Sequence, residues 1–168
     1  MINQEQRMKC FTAMLFLVLA MQVNADTHCD NQCQLTLIKD YYQKINLSVV
    51  QHSTTENVEV FLGSLHEDVV YLHEEYEAKF DKNIWRKAFL RQMERGGYAN
   101  TVEANTVLKS VIHGYQTAAV EFVSQYRNQE DTEITSSPSR LAIFKFKDSK
   151  IVFIQDHWYH LAEETLNK

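Results

Sequence analysis

Lys150-Ile-Val-Phe-Ile-Gln-Asp-His-Trp-Tyr-His-Leu161 starts as an apolar strand and turns, within four residues, into a row of polar and aromatic side chains: Asp156, His157, Trp158, Tyr159 and His160. A short run of β-branched and aromatic residues is the pattern of a strand buried in a core. When such a strand gathers ionisable groups at its end, it carries them toward whatever space the core encloses. Side chains alternate along a strand, so Gln155, His157 and Tyr159 share one face, and Asp156, Trp158 and His160 the other.

Upstream of this segment the period stays at two. Leu141 to Phe146, Ala118 to Tyr126 and Thr106 to Ile112 read as strands, joined by Lys147-Asp-Ser149, by the polar stretch Arg127 to Ser139, and by His113-Gly-Tyr-Gln116. Consecutive strands with short or polar connections pair antiparallel. Pro138, the sole proline, fits the entry to an edge strand.

Further upstream the period becomes helical. Leu35, Ile38, Tyr42, Ile45 and Val49 step by three and four, with Tyr41 beside the stripe. Ser53-Thr54-Thr55-Glu56 has the form of a capping box ahead of Val58, Phe61, Leu62 and Leu65, which predicts a second helix ending near His66 or Glu67. Asp68 to Tyr76 then reads as a first strand, with Val69, Tyr71, His73 and Glu75 on one face. Asp81 caps a third helix that buries Ile84, Trp85, Ala88, Phe89 and Met93, carries Arg91 and Arg95 in its last turn, and stops at Gly96-Gly97. Two helices, a strand, a helix and a run of long strands predict an α+β fold: a strongly curved mixed or antiparallel sheet forming a cone closed by three helices from the N-terminal half.

The first 25 residues read as a signal peptide, with Arg7 and Lys9 before an apolar run from Cys10 to Met21 and Val23-Asn24-Ala25 at the cleavage position. About a dozen apolar residues fall short of the ~20 that span a bilayer, so a periplasmic or secreted chain starting at Asp26 is expected, with no membrane association after cleavage. Residues 26–33 form a lead in which Cys29 and Cys33 can bridge in an oxidising compartment, and residues 34–162 form one domain. Removing Glu5, Arg7 and Lys9 takes the formal charge from −5 to −6. An acidic chain with no basic face argues against nucleic acid as a partner.

With those elements in place, Leu65 to His73, Asn83 to Met93 and above all Lys150 to Trp158 make the chain resemble the SnoaL-like branch of the nuclear transport factor 2-like superfamily, over roughly Cys33 to Leu161. The resemblance implies a cone-shaped pocket. Superfamily members include isomerases, cyclases, dehydratases and hydrolases as well as binding and dimerisation modules, so the fold alone does not choose a function. The branch's polyketide cyclases place a general-base aspartate directly after the tryptophan of a His-Trp-Asp run. Tyr159 stands there in this chain, which leaves His157 or Asp156 as neighbouring bases. A glycine that often precedes the third helix is replaced by Phe80-Asp81.

Three functions follow as expectations. The first is a pocket for a small, largely apolar molecule, walled by Tyr41, Tyr71, Trp85, Phe89, Phe122 and Phe153, with no catalysis and no cofactor. The second is an acid/base enzyme of isomerase, cyclase or dehydratase type, with His157 or His73 as base and Tyr159 or Tyr71 as hydroxyl donor, since Tyr-x-His and His-x-Tyr spacings put both groups on one strand face. The third is a homodimer covering an outer sheet face that carries Val123 and Ile143. A metal site is not expected, because His157 and His160 cannot share a strand face.

Overall fold

The computed structural model describes residues 28–158. The expected signal peptide, Tyr159 and His160 lie outside the described residues. Helix α1 spans Asn31–Leu47 and is capped by Asp30, whose carboxylate accepts from the Cys33 backbone N–H at 2.8 Å. Cys29 and Cys33 are bridged across this first turn. The helix buries Ile38, Tyr41 and Tyr42, and one polar residue, Gln34, stands in the same stripe at 1% exposure. Gln34 is satisfied there: Nε2 donates to the carbonyls of Cys29 and Gly114 at 3.1 and 3.0 Å, and Oε1 lies 2.9 Å from His113 Nδ1.

Helix α2, Thr55–Gly63, opens on a reciprocal capping box between Thr54 and Asn57, one residue later than the Ser53–Glu56 pairing the sequence predicts. It ends at Gly63, before His66. Strand β1 is only Val70–His73, because a 3-10 turn at Glu74–Tyr76 and Glu77, with φ of 49°, fold the chain back into β2, Ala78–Asp81. That hairpin replaces the long first strand expected to reach Tyr76. Helix α3, Lys82–Glu94, is capped by the Asp81 carboxylate at 2.7 Å from the Ile84 N–H and buries Trp85 and Phe89.

Strands β3 (Thr101–Gly114), β4 (Thr117–Asn128), the two-residue β5 (Thr135–Ser136), β6 (Arg140–Lys147) and β7 (Lys150–His157) complete a seven-stranded sheet in the order β2-β1-β7-β6-β4-β3, with β5 paired to β4. All neighbours are antiparallel except β1 and β7, which run parallel with Tyr71 beside Ile154 and His73 beside Asp156. The fold is therefore α+β with a mixed sheet, and the three helices lie on its concave side around a core of Phe61, Leu62, Phe144, Ile154 and their neighbours.

A bulge in β7 decides what that strand presents. Lys145 pairs with Phe153 and Phe146 with Ile151, so Val152 is the extra residue. Ile151 and Ile154 are both buried although they lie three apart. Beyond the bulge the inward positions are Ile154, then Asp156.

Candidate functional site

Between the helices and the concave sheet face lies a cavity of about 550 Å³. Helix α1 contributes Tyr41 and Tyr42, α3 contributes Trp85 and Phe89, and the β1–β2 hairpin contributes Tyr71 and Phe80. The sheet adds Phe122 and Ser124 from β4, Arg140 from β6, and Asp156 and Trp158 from the end of β7. The aromatic walls hold one another in place: Tyr71 stacks on Trp85 with centroids 4.7 Å apart, Trp85 meets Phe61 edge-on at 5.2 Å, and Tyr42 packs on Phe122 at 5.0 Å. A smaller groove of about 270 Å³ between α1 and β3 shares Tyr42, Asn46 and Thr106 with this cavity but is otherwise lined by side chains such as Lys39, Gln43 and Asn105.

Among the described residues Asp156 is the only carboxylate in the lining. It is 8% exposed, and the Tyr71 hydroxyl donates to its Oδ2 at 3.0 Å. Burial raises its pKa to about 7, against the opposing pull of the Tyr71 hydrogen bond and the Arg140 charge, while Glu75 adds a further upward push. The phenols of Tyr41 and Tyr71 are shifted up, first by burial and then by Asp156, so both remain protonated donors.

Arg140 lies with its guanidinium 3.6 Å from the centroid of the Trp158 ring, and Nη1 donates to Ser124 Oγ at 3.1 Å. Behind Trp158 sits a second polar pair. His73 Nδ1 is 3.2 Å from Glu75 Oε2, and Glu75 Oε1 accepts from the Trp158 backbone N–H at 2.7 Å. The approach at His73 Nδ1 is an ion pair only when the imidazole is protonated. Burial lowers the His73 pKa, with Glu75 opposing.

No protein-family model and no curated protein sequence matches the chain. Solved structures do. PrhC from Penicillium brasilianum superposes with a TM-score of 0.58 at 9% identity, covering 81% of this chain and 87% of its own. A nuclear transport factor 2-like protein from Burkholderia pseudomallei gives 0.54 at 13%, covering 80% and 95%. A protein of ketosteroid isomerase-like fold from Catenulispora acidiphila, in complex with trimethylamine, gives 0.50 at 10%, covering 74% and 83%.

The fold is that of the nuclear transport factor 2-like superfamily.

Within this nuclear transport factor 2-like cone, the residues singled out in the sequence separate by strand face. Tyr41, Tyr71, Trp85, Phe89, Phe122 and Asp156 line the cavity together. Phe153 does not: it lies outside, with the Lys145 ammonium 4.8 Å from its ring centroid. Neither does His157, which follows Phe153 and Gln155 on the outer face, paired with the exposed Leu141. The expectation of His157 as base is corrected on that ground, since the bulge at Val152 gives the inward positions to Asp156 and Trp158. His73 is buried, but it contacts Trp158 edge-on from behind, at 4.5 Å, and is not part of the cavity lining.

Tyr42, Phe80, Ser124 and Arg140 are lining residues the sequence reading missed. The signal for Arg140 is present: it stands in phase with the buried Ala142, Phe144 and Phe146 of β6, where an arginine is out of place unless it faces a polar space. Among the described residues no three His, Cys, Asp or Glu side chains are placed to hold a metal ion.

Proposed function

We propose that the cavity binds a small, largely apolar molecule and that Asp156 moves a proton on it, in an isomerase, cyclase or dehydratase type of reaction. The observation that carries this reading is the Asp156–Tyr71 pair, a base and a hydroxyl donor joined at 3.0 Å inside an aromatic pocket. A pocket that only binds has no need of that pairing.

The chemistry follows from the charges. Asp156, with a pKa near 7, is balanced between its two protonation states at neutral pH, so it can take a proton from a carbon beside a carbonyl and return it at another position. When Asp156 becomes neutral, its hold on the Tyr71 hydroxyl weakens. That hydroxyl then serves the oxyanion forming on the ligand, while the proton taken from carbon rests on Asp156 as an O–H that can be returned at another position. The isomerase-like fold of the Catenulispora protein is compatible with such work but does not assign it.

Export forms part of the same reading. The Cys29–Cys33 bridge is stable in an oxidising compartment, and N-terminal sequencing of the product from a periplasmic or culture fraction should begin at Asp26.

The test is native mass spectrometry of freshly purified protein for a retained small molecule, followed by NMR of that molecule with protein in D2O. Native protein should exchange a carbon-bound proton for deuterium, and Asp156→Asn should bind without exchange. Binding with no exchange or turnover by native protein would assign the cavity to binding alone.

A further inference from the structure

The cavity's charge runs against the chain's. The protein carries a formal charge of −5, yet among the described residues the cavity is lined by Arg91, Arg95 and Arg140 against the single carboxylate of Asp156. None of the three arginines forms an ion pair among the described residues, whereas Arg86 and Arg127, elsewhere on the surface, do. Arg91 and Arg95 stand at the C-terminal end of α3, where the helix dipole alone accounts for cations.

No such account covers Arg140. It begins a strand, is about half buried, and has its guanidinium carbon 3.6 Å from the centroid of the Trp158 ring. Among the described residues its Nε is buried with no hydrogen-bond partner, and its one hydrogen bond goes to a neutral hydroxyl, Ser124. Asp156 offsets part of this charge from a distance without forming an ion pair, and a half-buried guanidinium left without a carboxylate in contact is costly. An anion entering the cavity would relieve that cost, and its approach would be favoured by the positive charge of Arg91 and Arg95, which are exposed members of the lining.

We propose that the cavity's ligand is an organic carboxylate: an apolar, aromatic-compatible body seated against Tyr71, Trp85 and Phe89, with its carboxylate held by Arg140 on the Trp158 face and drawn in past Arg91 and Arg95. A carboxylate is preferred to a bulkier anion because the planar guanidinium offers its donors in one plane, which matches two coplanar oxygens. The proposal rests on the reading that this cavity is the functional site, and it adds what part of the ligand Arg140 recognises.

The test uses two probes of one shape, biphenyl-4-carboxylate and the neutral biphenyl-4-carboxamide, titrated into native protein by calorimetry. Fluorescence gives a second signal, because the chain's 2 tryptophans, Trp85 and Trp158, both line the cavity. The carboxylate is expected to bind about tenfold more tightly than the amide, and the preference should shrink as salt is added. Arg140→Gln, checked for folding by circular dichroism, should bring the two probes to equal affinity while leaving the amide within about threefold of its native value. Equal affinities in the native protein would overturn the proposal and leave the pocket reading standing, and this comparison needs no variant. Binding of neither probe would overturn both.

Discussion

Asp156→Asn should stabilise the protein at alkaline pH and do little in acid. The Asp156 carboxyl has a pKa of about 7 in the fold against 3.8 in an open chain. The folded state thus holds the proton more tightly than the unfolded one. The stability this contributes is fully present below pH 3.8 and is lost as pH rises through about 7. The gap of about 3 pH units corresponds to about 4 kcal/mol at the top of the window. Asparagine keeps an oxygen that can accept from Tyr71 but never charges. The assay is urea unfolding of both proteins, disulfide intact, at pH 4 and pH 8. Native stability relative to the variant should fall by about 2–4 kcal/mol between the two. His73 titrates in the opposite sense: its pKa is lowered, so its contribution is present above pH 6.5 and lost on acidification. That change is common to both proteins and cancels in the comparison. Parallel pH profiles for native and variant would refute the claim that this carboxyl is held protonated by burial.

Two further outcomes can be checked independently. Tyr71→Phe deletes the hydroxyl that favours the charged carboxylate, and should raise the Asp156 midpoint by roughly one to two pH units, read by carbon NMR of aspartate-labelled protein; an unmoved midpoint would remove Tyr71 from that role. Replacing both Cys29 and Cys33 with serine opens a short loop and should cost roughly 2 kcal/mol, visible as a lowered thermal midpoint that native protein reproduces when reductant is added; a midpoint indifferent to reductant would make the bridge incidental.

What the sequence revealed and what it hid follow from how each signal arises. Helical faces read well because Ile38, Tyr42, Trp85 and Phe89 repeat at the helical period and because Asp81 caps α3 through its own side chain, both of them local effects. The antiparallel succession of β3, β4, β6 and β7 read well because short connections leave little choice. The face of β7 did not. Ile151-Val-Phe-Ile154 is apolar at every position, so it contains no alternation from which to place a bulge, and an extra residue at Val152 exchanges the inward and outward sets for everything after it. The β1–β2 hairpin was hidden for a related reason: Glu74 to Glu77 makes its turn with neither glycine nor proline, and Glu77 enters the left-handed region at φ of 49° without one. Parallel pairing of β1 with β7, which brings Tyr71 to Asp156 across 85 positions of sequence, is a tertiary fact with no local trace.

Gln34 sets the rotational phase of a whole helix. Its two long-range contacts, to Gly114 and His113, index α1 against the β3–β4 turn at one fixed angle, while the third holds the Cys29 carbonyl ahead of the helix. Tyr41 and Tyr42 follow seven and eight residues on, about 10–12 Å further along the axis. A slip of one residue at Gln34 would turn both phenols by about 100° and take the wall of the cavity away from Asp156, a displacement that an apolar residue at position 34, bound by no direction, would do little to resist.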